Sequence, residues 1–228
     1  PFYSTNVTNT YIDTFLVTGT DTIFYNIAAD SAHPLNQKPQ MRLRVKCTNT
    51  ALKILLKSTA IDGTVNYWNV TELTTDVGNW GMPFSYSGTG TTPGDADHGI
   101  SEPSCSDDVI SVAAYAPSYL TPGGASVGGG LASFSSHGPR YDGVMKPDIA
   151  APGVSICSAI SSYTDAAYTT IASVSFNNKT YDYAKFSGTS MSGPVVAGVC
   201  ALILEANPRL SAAQVKQLIK ETARTDNF

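Results

Sequence analysis

Between Ser190 and Ala206 the chain reads SMSGPVVAGVCALILEA, and Glu205 is the one charged residue in it. A helix of that length with so little charge has to bury most of its sides. Val195, Val199 and Leu202 fall on one stripe, and Gly193, Ala197, Gly198 and Ala201 line another with small side chains. The pattern predicts a helix from about Ser190 to Ala206 at the centre of a layered fold. Pro194 then falls in the first turn, where its missing N–H costs little. Asn207-Pro208 ends the helix. A second helix opens at Ser211, which stands in capping-box spacing to Gln214. It runs through Val215, Leu218 and Ile219 to about Ala223, with Lys216 and Lys220 outward.

An interior helix needs sheets to lie against. DDVISVAAYA, LASFSSHGP, KPDIAAPGVSICSA and TIASVSF supply apolar strand cores separated by Gly and Pro. Near-continuous apolar strands are those of sheets covered on both faces, so this part reads as α/β. Residues 1–88 read as β-structure instead. In QMRLRVKC, Met41, Leu43, Val45 and Cys47 alternate with Gln40, Arg42, Arg44 and Lys46, as in a half-buried strand. ALKILLK alternates in the same way after a Thr48-Asn49-Thr50 turn, and TFLV, TIFYNI and VNYWNV are further short strands. Short strands joined by turn-rich loops predict an antiparallel β-sandwich or jelly roll. The stretch FSYSGTGTTPGDADHGISEPSC is a linker or an ordered surface loop. The expected division is a β-domain over 1–88 and an α/β part over 89–228.

Composition excludes several roles. Of 228 residues, 42% are hydrophobic and 14% charged, which fits a packed protein rather than a disordered one. A formal charge of −4 argues against a nucleic-acid or anionic-membrane surface. No uninterrupted apolar run is long enough to span a bilayer. The start, PFYSTNVTNT, is not an intact signal peptide, which leaves secretion open. Low charge with abundant Ser, Thr and Tyr suits an extracellular or cell-envelope protein. Cys47, Cys105, Cys157 and Cys200 have no zinc-knuckle spacing. Cys200 reads as a small buried hydrophobe, and one disulfide elsewhere is compatible but not demanded.

Ser190 is the candidate nucleophile. At a helix start it faces unpaired backbone N–H groups and the positive end of the helix dipole. Its own N–H can stabilise an oxyanion, and Gly188 leaves room for a substrate backbone. A bare Gly-Thr-Ser would equally serve as a simple cap through Ser190 or Thr189. The wider sequence points away from a cap. SGTSMSGPVVAG (187–198) resembles the nucleophile motif of subtilisin-like serine proteases, except that Val195 stands where the family usually has a histidine that is not the catalytic base. FSSHGPRYDGVMKPDIAAPGVSICSA is similar to the family's Phe-Ser-Ser-x-Gly-Pro and Lys-Pro-Asp-Ile-x-Ala-Pro-Gly segment, and EPSCSDDVISVAAY to the strand before it. The resemblance covers about residues 99–225.

It implies an incomplete subtilisin-like core with an inserted β-domain, and a serine endopeptidase acting on peptide or protein substrates through Ser190. Gly188 and Thr189 would shape the substrate loop, and Gly99, Ile100 and Ser101 either line the primary specificity pocket or form an ordinary turn. Glu102-Pro103 aligns with a bond that is cis in the family. No metal is required for that chemistry. Asp95, Asp97, Asp107 and Asp108 are candidate calcium ligands, although no EF-hand spacing links them.

The family's triad also needs a histidine base and an aspartate, in the chain order Asp, His, Ser. Neither motif precedes Ser190. The histidines are His33, His98 and His137, and each reads as a surface residue. Asp148 reads as a structural hydrogen-bonding residue rather than the triad acid. The oxyanion asparagine has no matching context, and Asn69 and Asn79 read as structural. The expectation is that Asp, His and Asn lie on an N-terminal part of the same protease, outside these residues or on a separate chain. An inert pseudoprotease, or a binding module built on the β-domain, is the alternative. An incomplete sheet would expose edges, so self-association into a homo-oligomer is a further expectation. Three N-x-S/T sequons begin at Asn6, Asn69 and Asn178, and Trp68 and Trp80 read as packing residues or as a binding platform.

Overall fold

The computed structural model describes residues 10–34, 36–49, 51–68, 84, 88, 90, 91, 94, 95, 97–165 and 167–224. By packing, the chain divides into two compact units, Pro1–Asn66 and Tyr67–Phe228.

The first unit holds β1 (Thr10–Thr18), β2 (Asp21–Asp30) and β3 (Gln40–Cys47), which form one antiparallel sheet in the order β1-β2-β3. The register from Thr10↔Ala29 to Thr18↔Asp21 leaves Gly19-Thr20 as a two-residue turn. Gly19 has φ 63°, a value such turns demand and glycine adopts freely. On one face of β2, Tyr25, Ile27 and Ala29 are buried. On the other face, Phe24 sits opposite Phe15 with ring centroids 6.1 Å apart.

ALKILLK forms no strand, against the expectation, and Ile54, Leu55 and Leu56 are exposed. Asn49 redirects the chain there. Its Nδ2 donates to Asp21 at 3.0 Å, and its Oδ1 accepts from the Ala51 N–H at 2.9 Å. Alternation becomes a strand only where a neighbour offers a ladder. The residues of VNYWNV from 65 to 68 are irregular, and 69 and 70 lie outside the described residues. Among the described residues this unit has a single sheet, not the two of a sandwich.

The second unit carries β4 (Val112–Tyr115), β5 (Tyr119–Leu120), β6 (Ser126–Val127), β7 (Ile149–Pro152), β8 (Ile156–Ala159), β9 (Ala172–Phe176), β10 (Lys179–Phe186), α1 (Thr189–Ala206) and α2 (Ala212–Thr222). β4 and β7 are parallel, β5 and β6 form a hairpin, and β8-β10-β9 is an antiparallel sheet. The segment LASFSSHGP gives a single bridge, Tyr115↔Leu131, and turns rather than a strand. β10 was not expected from its polar sequence. It pairs with β9 across Asn177-Asn178, whose φ values of 49° and 59° suit a two-residue hairpin turn. All four cysteines are free.

The core joins Ala151, Val196, Val215 and Ile219, with Ile110, Val112, Ile149, Cys200, Ile203 and Leu210 packed against it. α1 lies on β4 and β7 and touches α2. It is not central. Only Ser192 and Val196 are buried in it, while Val195, Val199 and Leu202 are 39%, 44% and 66% exposed. Its other stripe has no layer over it among the described residues. With 18 residues and a mean hydropathy of 1.5, α1 is long and apolar enough to cross a membrane by length and composition, which corrects the sequence reading.

Two local expectations also change. α1 begins at Thr189, so Pro194 lies beyond the first turn and removes the N–H that would bond the Ser190 carbonyl. In α2 the Ser211–Gln214 capping box is present, but Lys216 turns inward. Its Nζ donates to the carbonyls of Asp107 at 2.7 Å and Val109 at 2.9 Å. The Asp107 and Val109 carbonyls just before β4, the latter shared with Lys146 Nζ at 3.0 Å, offer better partners than open solvent, and the long apolar stem is buried on the way.

Candidate functional site

Ser190 stands in the first turn of α1 and is exposed. The helix start has no side-chain cap, so neither Ser190 nor Thr189 spends its hydroxyl on capping. Among the described residues no hydrogen bond engages the Ser190 side chain. Among the described residues the Thr189 and Ser190 N–H groups have no backbone or side-chain acceptor, beside a free hydroxyl. The Met191 N–H donates to the Gly188 carbonyl at 3.0 Å and turns the chain into the helix.

The helix start is held from beneath. The Gly188 N–H donates to the Gly153 carbonyl at 2.8 Å, and the Gly153 N–H donates to the Tyr115 carbonyl at 2.9 Å. The Ser155 N–H donates to Ser187 Oγ at 2.9 Å. The ends of β4 and β7 thus fix the approach to Ser190. Gly153 must be glycine: a Cβ there would lie 2.3 Å from Ser192 Oγ and 2.7 Å from the Ala114 Cβ. Ser192 is fully buried, and its hydroxyl has no partner among the described residues. Sequence reading missed this tether, although the Ala-Pro-Gly at 151–153 was a visible turn signal.

A shallow recess of about 80 Å³ gathers three of the predicted substrate residues, Ile100, Ser101 and Thr189. Val112, Ser135 and Ser136 complete the side toward β4. Gly99 is held beside it, its N–H donating to the His137 carbonyl at 3.0 Å. Glu102-Pro103 is cis. Ser135 Oγ accepts from the Ala114 N–H at 3.0 Å and closes part of the outer edge of β4.

The histidines of this unit serve other contacts. His98 Nδ1 lies 2.8 Å from the Pro139 carbonyl, and the His98 carbonyl accepts from Trp68 Nε1 at 3.1 Å. His137 contributes its carbonyl to Gly99. Among the described residues no hydrogen bond brings either imidazole to Ser190. Asn69, Asn79 and Trp80 lie outside the described residues.

The charged groups near β4 are structural. Asp148, 2% exposed, receives Lys146 Nζ at 2.6 Å and the Ser111 N–H at 2.9 Å. Burial alone would push the Asp148 carboxyl up, but the Lys146 hydrogen bond, the Ser111 N–H and the two lysine charges hold it below the usual carboxylate range. Burial and the neighbouring Lys146 push the Lys216 ammonium down, against the pull of Asp148. Arg140 donates to both carboxylate oxygens of Asp142 and to Asp107, and the hydrogen bond to Asp142 holds Asp142 below its ordinary range. Asp107 is thereby engaged, and Asp95 Oδ1 accepts from the Asp97 N–H at 3.0 Å. Among the described residues no three His, Cys, Asp or Glu side chains gather as a metal site.

The fold and this geometry define an α/β unit that presents an exposed serine at an uncapped helix start. The chain belongs to the subtilase family, whose model matches residues 77–228. It is similar to the serine protease AprX of Bacillus subtilis, 42% identical over 123 residues, 53% of this chain and 26% of that protein. It is also similar to the subtilisin-like protease SBT3.2 of Arabidopsis thaliana, 44% identical over 101 residues, 42% of this chain and 12% of that protein. The minor extracellular protease Vpr of Bacillus subtilis is 40% identical over 101 residues, 44% of this chain and 11% of that protein. The chain thus spans about a quarter or less of these relatives. No solved structure matches it.

Proposed function

We propose that this chain carries the nucleophile half of a subtilisin-type serine endopeptidase. One observation carries the reading: the Ser190 hydroxyl is exposed and unbonded at a helix start that has no cap. In the complete enzyme Ser190 Oγ attacks the scissile carbonyl and forms an acyl-enzyme. The Ser190 N–H supplies part of the oxyanion hole. Gly188 and Thr189 shape the loop under the substrate, and Gly99, Ile100 and Ser101 border the primary specificity pocket. Peptide or protein substrates lie extended along strand edges. The base, its orienting aspartate and the second oxyanion donor come from an N-terminal part of the same protease, since among the described residues no hydrogen bond brings the His98 or His137 imidazole to Ser190. No cofactor enters these steps. The first unit belongs to an inserted β-sandwich or jelly-roll domain. The name of Vpr, together with the low charge, supports an extracellular setting.

A second reading has one observation in its favour. Without a base, Ser190 is a poor nucleophile, and the chain could persist as an inert scaffold whose β-domain binds a partner. A fluorophosphonate probe separates the two. Labelling at Ser190 when the N-terminal part is present, and its loss in Ser190→Ala, is the expected result. A folded, complete protein that stays unlabelled would favour the scaffold.

A further inference from the structure

β10 runs directly into the loop that carries Ser190, and one face of its hairpin with β9 has the make-up of a binding surface. Residues opposite one another in an antiparallel ladder share a face, and successive residues alternate between faces. The register Val174↔Tyr181 and Phe176↔Lys179 therefore sets those four side chains on one face, and Lys185 follows on the same face of β10. Val174, Phe176 and Tyr181 are 51%, 65% and 36% exposed, and both lysines are exposed. Exposed apolar side chains gathered on one face mark a place of contact.

The charge on that face has one sign. Asp182, the acidic residue of the three strands, alternates to the opposite face, where it accepts from Ser173 Oγ at 2.6 Å and from the Tyr168 hydroxyl at 3.2 Å. Among the described residues neither Lys179 nor Lys185 has an ion pair or a side-chain hydrogen bond. The whole chain carries −4, so this face is locally reversed in sign.

Chain length fixes how far the face lies from the reacting residue. Lys185 stands five residues before Ser190. A fully extended chain limits that separation to about 18 Å. Lys179 lies about 20 Å further along β10. A substrate extended at about 3.3 Å per residue reaches Lys185 in about six residues and Lys179 in about twelve.

We propose that this face is an exosite for the substrate. Its occupant is an extended segment of the substrate protein, several residues from the scissile bond, that carries aspartate or glutamate beside apolar side chains. The two free ammonium groups attract the carboxylates, and Val174, Phe176 and Tyr181 between them cover the apolar side chains. Because β10 ends at the loop that holds Ser190, a chain bound here is held within reach of the nucleophile. The inference rests on the reading of Ser190 as that nucleophile, and it adds a substrate class: proteins with acidic stretches near the cut.

The test uses the complete protease encoded by the same gene. A peptide core that it cleaves, taken from a casein digest, is extended on either side by twelve residues alternating Glu with Leu, or Gln with Leu. The Glu tail on one side is expected to lower KM at least about threefold against the Gln tail, with kcat unchanged. The difference should vanish in Lys179→Gln with Lys185→Gln. It should also vanish at about 1 M salt, where the screening length is about 3 Å. Equal KM for the two tails, or a Glu preference that survives the double substitution, would overturn the proposal. So would a dimer that Lys179→Glu dissolves, which assigns the face to another copy. Binding of the same peptides to the complete Ser190→Ala protein, read by fluorescence anisotropy, is independent of cleavage. Lysine-dependent binding of the Glu tail by a protein whose native form cleaves nothing upholds the face and sinks the protease reading. Cleavage without tail preference does the reverse.

Discussion

Lys216 of α2 reaches to within 3.4 Å of Asp148 Oδ1, while Lys146 holds the other oxygen at 2.6 Å. One buried carboxylate thus ties the second helix to the strand pair that supports Ser190. Lys146 and Asp148 are 1% and 2% exposed, so neither charge has water to replace its partner. Asp148→Ala leaves a buried ammonium uncompensated and is expected to cost about 3–5 kcal/mol. Lys216→Met keeps the stem and removes the hydrogen bonds, for a loss of about 1.5–3 kcal/mol. Urea denaturation of both variants measures the difference.

The same cluster makes stability rise with pH across two separate windows, one acid and one alkaline. The Asp148 carboxyl titrates below its unfolded value, so its contribution is present above the ordinary carboxylate range and is lost as pH falls through the lowered folded value. The Lys216 ammonium is also lowered, and there the folded chain binds fewer protons than the unfolded one between the lowered value and the ordinary lysine range. Stability therefore rises with pH across that alkaline window. Denaturation midpoints from acid to alkaline pH check both limbs. Lys216→Met should flatten the alkaline limb.

Ser192 offers a stabilising change. Its hydroxyl is buried without a partner, so Ser192→Ala removes an unmet polar group and leaves the Cβ in place. A gain of about 1 kcal/mol is expected, or about 2–4 °C in Tm for a chain of this size.

Gly153→Ala works in the opposite direction. The added methyl meets Ser192 Oγ, the Ala114 Cβ and the Gly188 carbonyl, the last at 2.9 Å. Backbone and core must shift together, at about 1–3 kcal/mol. Because Gly188 is displaced, labelling of Ser190 in the complete protein should fall along with the melting temperature.

Ser190→Ala should be silent in stability, within about 0.5 kcal/mol, because the side chain is exposed and makes no bond. A large loss in thermal melting would show that the hydroxyl has a structural partner.

What the sequence disclosed was local. The Ser211–Gln214 box, the ends of α2 and the existence of β3 are written in neighbouring residues, and the structure keeps them, although Met41 and Val45 of β3 are exposed rather than half-buried. Ser190 stood out for the same reason, since glycine before it and an apolar helix after it are adjacent in the chain. Features that depend on distant partners were hidden. Lys216 turns inward because carbonyls at 107 and 109 await it across more than a hundred residues of sequence. β10 forms because β8 and β9 flank it, not because its side chains alternate. α1 looked central from its composition, yet composition says only that its faces need cover, not whether these residues supply it.

Pro194 has a consequence for the peptide that follows Ser190. With no N–H four places ahead, the Ser190 carbonyl is released from the helical ladder. The Met191 N–H still donates to the Gly188 carbonyl, so the peptide that links Ser190 to Met191 is held at its nitrogen and free at its oxygen. In an unbroken helix both ends of that peptide would be tied into the ladder.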